Sequence, residues 1–267
     1  MEEIIFLGTG NATVKDCYNT CFAIKNLNEY VLVDAGGGNG ILKQLDLVNI
    51  SLNQIHHMII THCHTDHILG AIWVYRMIAT QILQGTYSGD FYIYCHDEAA
   101  TTLKTILELT LVNKMVGLLD NRIFIKEVTH LQTCIINHLP FTFFDVHSTK
   151  MKQFGFYILE ENQKLTCLGD EPCDESCLDY VKDSTWLLCE AFCLYDQRDI
   201  FKPYEKHHST AKDASILANQ QNVKNLVLYH TEEKNLKNRK ELYTQEAKQY
   251  FDGNVYVPND LDIITIS

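Results

Sequence analysis

The chain has 267 residues, 46% of them hydrophobic and 21% charged, with a formal net charge of −12. That composition supplies a substantial core and excludes global disorder. The negative balance sets an average field that repels polyanions, which disfavours nonspecific attraction to nucleic acid or anionic membrane unless a local basic patch provides it.

In chain order, Ile4-Ile5-Phe6-Leu7 reads as a strand stopped by Gly8-Thr9-Gly10-Asn11, and Cys21-Phe22-Ala23-Ile24 as a second. Tyr30-Val31-Leu32-Val33 reads as a third, ending at Asp34 and Gly36-Gly37-Gly38, with a helix following through Ile41, Leu42 and Leu45. His57-Met58-Ile59-Ile60-Thr61 is a short apolar run of the kind buried on both faces. The series Ile68, Ile72, Tyr75, Ile78, Ile82 repeats at helical spacing. The middle predicts a strand at Phe91 to Tyr94, a helix from Ala99 to Val116 and a strand at Phe141 to Phe144. Further strands are predicted at Phe154 to Leu159, Leu165 to Leu168, Trp186 to Cys189 and Leu226 to Tyr229. Thr210 followed by Asp213 is a capping-box pattern that opens a helix over Ala211 to Gln220. Val255 to Pro258 and Leu261 to Ile264 read as closing strands.

Only four dispersed prolines and no low-complexity linker interrupt the chain, so one domain over 1–267 is expected. Strands and helices mix throughout, which favours a layered α/β sandwich over an all-β fold. Met1-Glu2-Glu3-Ile4-Ile5 lacks the basic head and apolar run of a signal peptide, and no stretch is apolar for long enough to span a bilayer. The expectation is a cytoplasmic protein with no membrane association and reduced thiols. Ten cysteines are present. The close pairs Cys17/Cys21, Cys173/Cys177 and Cys189/Cys193 all lack the two-residue gap of a zinc knuckle, so scattered core thiols are the simpler account.

The stretch Ile59-Ile60-Thr61-His62-Cys63-His64-Thr65-Asp66-His67-Ile68-Leu69-Gly70 carries the chemistry. An apolar strand runs into four potential ligands, and a helix leaves them. Imidazole and carboxylate suit a borderline ion such as zinc. Adjacent side chains diverge, so so dense a cluster is filled more simply by two neighbouring ions than by one. A pair about 3.5–4 Å apart is what a hydrolytic clamp uses.

His-x-His-x-Asp-His after a strand ending in Thr resembles the signature of the metallo-β-lactamase superfamily, and the resemblance continues along nearly the whole chain. Phe6 to Ala12 looks like the opening strand and turn, and Leu32 to Gly36 like the second glycine turn. Val146-His147-Ser148 matches the third histidine motif, Leu168-Gly169-Asp170 the bridging aspartate and Tyr229-His230-Thr231 the last histidine. The resemblance implies a four-layer αβ/βα sandwich holding two zinc ions, for which manganese or ferrous iron could substitute. His62, His64 and His147 would bind one ion and Asp66, His67 and His230 the other, with Asp170 bridging. Redox members of the superfamily carry glutamate at the second histidine to hold iron, so His64 favours zinc and a hydrolase.

His207-His208-Ser209-Thr210 resembles the His-Ser-Thr motif of the ribonuclease Z branch, and Cys189-Glu190-Ala191-Phe192 its preceding Glu-Ala motif. The resemblance implies that His208 faces the metals and that Glu190 orients it. Two zinc ions would lower the pKa of a bridging water and polarise a phosphoryl oxygen. His208 would give a proton to the leaving alkoxide as general acid, with Asp66 or Asp170 accepting the water's proton.

Ribonuclease Z proteins commonly insert a long, basic, Gly- and Pro-rich arm between the third histidine and the bridging aspartate, and grip tRNA with it. Here only about two dozen residues separate His147 from Asp170, a span suited to two strands and a turn, and Glu160 to Lys164 is predominantly acidic. The leading expectation is therefore a ribonuclease Z-like phosphodiesterase on a small or short phosphodiester. Open beside it stand a tRNA 3′ endonuclease that finds its grip elsewhere, for example in a homodimer, a noncatalytic metal-binding protein, and a lactamase or thioester hydrolase.

Overall fold

The computed structural model describes residues 1–266. Strands β1 (Glu3–Gly8), β2 (Cys21–Asn26) and β3 (Glu29–Val33) form an antiparallel meander. Helix α1 (Gly40–Leu47) leads from β3 to β4 (Ile55–Ile59), which pairs parallel to it. Helix α2 (Thr65–Gln84), β5 (Phe91–Cys95), α3 (Asp97–Thr110), α4 (Asn113–Val116) and β6 (Ile123–Glu127) extend the parallel side.

The second half repeats the plan. β7 (Thr133–Ile136), β8 (Leu139–Asp145), β9 (Phe154–Glu160) and β10 (Gln163–Cys167) are antiparallel neighbours. Then α5 (Leu178–Val181), β11 (Trp186–Glu190), α6 (Arg198–Phe201), α7 (Ala211–Gln220), β12 (Asn225–Tyr229), α8 (Arg239–Ala247) and β13 (Asn254–Tyr256) build the parallel side. The last strand, β14 (Ile263–Thr265), returns to the first sheet beside β1. Two seven-stranded sheets result, ordered β14-β1-β2-β3-β4-β5-β6 and β13-β12-β11-β10-β9-β8-β7.

Each sheet buries both faces, so three apolar layers alternate with the two sheets. Ile4, Phe6, Phe22 and Val33 of the first sheet meet Phe141, Phe156, Leu188 and Tyr229 of the second. Helices α1 to α3 cover the outside of the first sheet through Leu45, Ile68, Val74, Ile78 and Leu103. Helices α7 and α8 cover the second through Ala214, Ala218, Tyr243 and Ala247. This is the expected four-layer αβ/βα sandwich. The ten cysteines are free thiols, as expected for scattered core residues. Among the described residues, no helix is long and apolar enough to cross a membrane.

The predicted elements lie close to their observed bounds, with informative differences. The helix expected over Ala99 to Val116 breaks at Leu111 and Val112, which are extended, and resumes as the single turn α4. The edge strands β6 and β7 and helix α8 were not anticipated. Ile135 of β7 is apolar yet faces solvent, so the inward alternation of Cys134 and Ile136 does not show as a polar/apolar pattern in the sequence. The capping box does form: the Thr210 amide donates to Asp213 at 3.0 Å, and the Asp213 amide to the Thr210 hydroxyl at 3.3 Å.

One contact fixes how α2 meets the sheet. Gly70 lies so close to the turn after β3 that its amide donates to the Gly36 carbonyl at 2.8 Å, while the Ala35 amide donates to the His67 carbonyl at 3.1 Å. A Cβ on Gly70 would sit 1.8 Å from the Ala35 carbonyl oxygen. That oxygen is backbone and cannot step aside without moving the helix. Gly70→Ala is expected to destabilise the fold by about 3 kcal/mol, the upper range for overpacking. Urea denaturation, with the midpoint falling at constant slope, is the check.

Candidate metal centre

The site lies where the parallel strands end, in the crevice between the two sheets, as ligand sites do in open α/β sheets. After β4 the chain runs Ile60-Thr61 into His62, Cys63 and His64, and α2 begins at Thr65. Asp66 and His67 thereby occupy its first turn, where a carboxylate also suits the helix dipole. Asp170 follows β10, Glu190 ends β11, and His230 follows β12. His208 stands just before α7.

These side chains converge. Ligand atoms of His62, His64 and Asp170 lie within 4.8 Å of one another, as do those of Asp66, His67 and His230, and those of Asp170, His208 and His230. Asp170 joins the groups by turning its two oxygens in different directions. Its Oδ1 is 3.6 Å from His62 Nε2, while its Oδ2 is 3.7 Å from His67 Nε2 and 3.5 Å from His230 Nε2. His62 Nε2 and His64 Nδ1 are 2.8 Å apart. Asp66 Oδ2 is 3.4 Å from His67 Nε2.

Behind the converging atoms, a layer of hydrogen bonds sets the imidazole rings. Asp34 is central to it and was not singled out from the sequence as a site residue. Its Oδ1 accepts the Thr61 amide at 2.8 Å, and its Oδ2 accepts the Thr61 hydroxyl and pairs with His67 Nδ1, each at 2.7 Å. Having donated its proton to Asp34, the Thr61 oxygen can only accept from His62 Nδ1, 3.0 Å away. In the same way Thr20 donates to the Gly10 carbonyl and accepts from His230 Nδ1, both at 3.0 Å. Each ring thus carries its proton on Nδ1 and presents an Nε2 lone pair to the cluster, the arrangement a metal-ligating histidine needs. The available signals were polar residues at strand ends, Asp34 after β3 and Thr61 before His62, and they are weak singly.

Electrostatics follow from this packing. Burial pushes His62 down to about 3, so it is neutral and able to ligate. Burial alone would lower His67 too, but the Asp34 and Asp66 carboxylates outweigh it and hold its pKa well above the usual range, so a cation ligated at Nε2 would take the place of a proton there. Burial would raise Asp170, yet His62, His67, His230 and His208 pull it well below the carboxylate range. His67 Nε2 and Asp170 Oδ1 are buried with no hydrogen-bond partner. Unpaired buried polar atoms are costly, and a divalent cation is what these donors fit.

The proposed proton donor is placed beside this cluster. His208 stacks on Phe192 with ring centroids 4.8 Å apart and planes at 10°. Its Nδ1 is 3.7 Å from Glu190 Oε2, and both atoms lack another partner. Glu190 is fully buried and its other oxygen accepts the Ser209 amide, which ties the carboxylate to the residue after His208.

The structure does not bring His147 to the cluster. Val146 is buried and its amide donates to the Gln153 carbonyl at 3.1 Å. The next residue has left-handed backbone with φ of 58° and its amide is capped by Asp145 at 2.8 Å. The His147 ring is exposed, 6.3 Å from that of His130. Lys150 from the same loop lines the central cavity instead, with Asn11, Met151, Phe192 and Lys206. That cavity measures about 570 Å³. The arm of ribonuclease Z is absent: only Glu161 and Asn162 separate β9 from β10.

Fold and site together define a ribonuclease Z-like member of the metallo-β-lactamase superfamily. Ribonuclease Z of Thermococcus sibiricus is 26% identical over all of this chain and 97% of its own. Their alignment runs over 322 positions against the 267 residues here, so the relative carries sequence that this chain lacks. The Bacillus subtilis metallo-β-lactamase fold protein YhfI superposes with a TM-score of 0.80 at 16% identity, covering 99% of both chains. The short form of human tRNase Z superposes with a TM-score of 0.76 at 21% identity, again over 99% of both. Within the superfamily, the model for the family described as anti-Pycsar protein Apyc1 matches residues 2–251, and the chain belongs to that family.

Asp34→Asn keeps the size of the side chain but removes the charge that holds His67. Metal affinity is expected to fall about 10- to 100-fold, the range for loss of a residue that orients a ligand. Equilibrium dialysis against buffered zinc measures it, and unchanged affinity would refute the orienting role.

Proposed function

We propose that the chain is a metal-dependent phosphodiesterase acting on a small phosphodiester, with residues 1–267 working as one hydrolase unit. The observation that carries the proposal is Asp170, whose two oxygens face two separate histidine groups at 3.5 to 3.7 Å with His208 alongside. His62, His64 and Asp170 would hold one zinc ion, and Asp66, His67, His230 and Asp170 a second. Bound there, the ions supply Lewis acidity toward a phosphoryl oxygen and lower the pKa of a water nucleophile.

The protein's own groups do the rest. Thr61, Thr20 and Asp34 keep the ligand rings in one tautomer and orientation. Asp66, nearly buried at the cavity wall, takes the proton of the attacking water. His208 donates to the leaving oxygen. Burial pushes its pKa down to about 3, so before substrate binds it is neutral. Its N–H can still donate a hydrogen bond, and an entering phosphodiester anion raises its proton affinity at the moment a proton is needed. Glu190, held by Ser209, fixes the ring from behind.

Substrate size follows from what surrounds the cavity. A 570 Å³ cavity accommodates a small ligand. Removal of the arm leaves a two-residue turn where ribonuclease Z has its tRNA grip, and the net charge of −12 opposes a long polyanion. The ribonuclease Z relatives keep tRNA 3′ processing as the second reading.

Zinc-loaded protein is expected to hydrolyse a small chromogenic phosphodiester, to lose that activity on chelation, and to leave a 3′-extended precursor tRNA intact at moderate salt. Cleavage of the RNA near its discriminator end would favour the second reading. His208→Ala is expected to lower kcat about 100-fold or more on a diester with an alkoxide leaving group while metal stays bound. The loss should be much smaller with a nitrophenolate leaving group, which needs no proton. An equal loss on both substrates would contradict general-acid catalysis.

A further inference from the structure

The loop after β8 places a lysine at the cavity rather than His147. We propose that Lys150 is a catalytic residue whose ammonium binds a non-bridging oxygen of the scissile phosphodiester and neutralises the charge that builds there, a role that rests on the phosphodiesterase reading above. An ammonium has three N–H donors. One goes to the Lys206 carbonyl at 3.1 Å, and a second is directed at Glu171 Oε1 at 3.4 Å. The third remains for the cavity, whose wall Lys150 shares with Asp170, His208 and His230.

The anchoring distinguishes Lys150 from a solvated surface lysine. Glu171 is the residue after Asp170 and is nearly buried. It also accepts the Ser148 hydroxyl, and Ser148 Oγ in turn accepts the Lys150 amide at 3.2 Å. Lys206 lies two residues before His208. Lys150 is thus referenced at once to Asp170 and to His208, the two groups between which the reacting phosphorus must sit. The residue as a whole is exposed, but its side chain is 22% exposed and its ammonium is held by both Glu171 and Lys206.

Charge gives the reason such a residue is needed. Asp66 and Asp170 line the cavity where an anion must bind, and Glu171 follows Asp170 directly. Of the two lysines lining the cavity, Lys206 holds its ammonium 4.9 Å from the Phe192 ring centroid. Lys150 is the one braced by hydrogen bonds beside the histidine cluster. A preorganised donor aimed at developing charge costs no reorganisation during reaction and is worth about 100-fold or more in rate.

The test compares Lys150→Met and Lys150→Arg with the wild-type zinc-loaded enzyme at equal measured metal content. One readout is turnover of bis(4-nitrophenyl) phosphate, and the other is calorimetric binding of inorganic phosphate. Methionine is expected to lower kcat/KM about 100-fold and to weaken phosphate binding about tenfold. Arginine, which keeps the charge, should stay within about tenfold of wild type in turnover. A methionine variant that matches wild type in both readouts overturns the proposal, as does an arginine variant that falls as far as methionine. Wild-type protein that turns over no phosphodiester would instead count against the phosphodiesterase reading, and the phosphate titration then decides the role of Lys150 separately.

Discussion

The Asp34 carboxylate is the interaction from which the rest of the centre is arranged. It leaves the end of β3 on left-handed backbone, φ 53°, and reaches across to β4 and α2. Three hydrogen bonds of 2.7 to 2.8 Å join it to Thr61 and His67. Through Thr61 the same carboxylate also sets His62. Its hydrogen bond to Nδ1 in turn keeps the His67 ring from turning. Gly70 is the backbone counterpart of this constraint: only a residue without Cβ lets α2 approach the turn after β3 closely enough for His67 to reach Asp34.

The two sheets use one design twice. β3 and β10 each lie at the centre of a seven-stranded sheet, with an antiparallel neighbour on one side and a parallel neighbour on the other. Each is followed closely by a buried aspartate, Asp34 in one half and Asp170 in the other. The halves then diverge in what the aspartate does. Asp34 is spent on holding rings from behind, whereas Asp170 keeps an oxygen unpaired and faces the cluster. The halves are joined close to this point by backbone pairing, since the Asn11 amide donates to the Thr231 carbonyl at 3.0 Å and the Thr231 amide to the Thr9 carbonyl at 3.1 Å. Arg239, fully buried, ties the same junction by donating to the side chains of Thr9 and Thr231 at 2.8 Å. His230 therefore belongs mechanically to both halves.

What could be read from the sequence divides along physical lines. Strands buried on both faces announce themselves as apolar runs, so β1, β4, β11 and β12 were legible, and the sandwich followed from their alternation with helices. Helix α8 was not, because its innermost positions are Tyr243, Ala247 and the buried Arg239, and a charged residue on the core face hides the periodicity. The dense run from His62 to His67 was legible as chemistry because its ligand types are contiguous. Its meeting with Asp170, His208 and His230 is a product of topology that no local pattern contains, and only the family resemblance supplied it. The same resemblance assigned His147 to the cluster, where the structure instead turns that side chain to solvent. Asp34 and Thr61 were read only as parts of a turn and a strand end, and Thr20 not at all, because a polar residue closing a strand is ordinary until its partners are known.

The acidity of the chain and the need to bind an anion are reconciled by scale. Repulsion from a net charge of −12 acts at range, is cut down within about 10 Å by salt, and grows with each phosphate a substrate brings. A long nucleic acid must therefore recover that cost through many separate phosphate contacts. The turn Glu161-Asn162, which replaces the arm, offers none. On the proposed reading, a molecule with one phosphodiester would meet the field once and then be held at short range by the histidines, the cations they would hold and an ammonium, where screening is weaker. Acidity outside and cations held within would, on that reading, together favour a compact anion over a polymer.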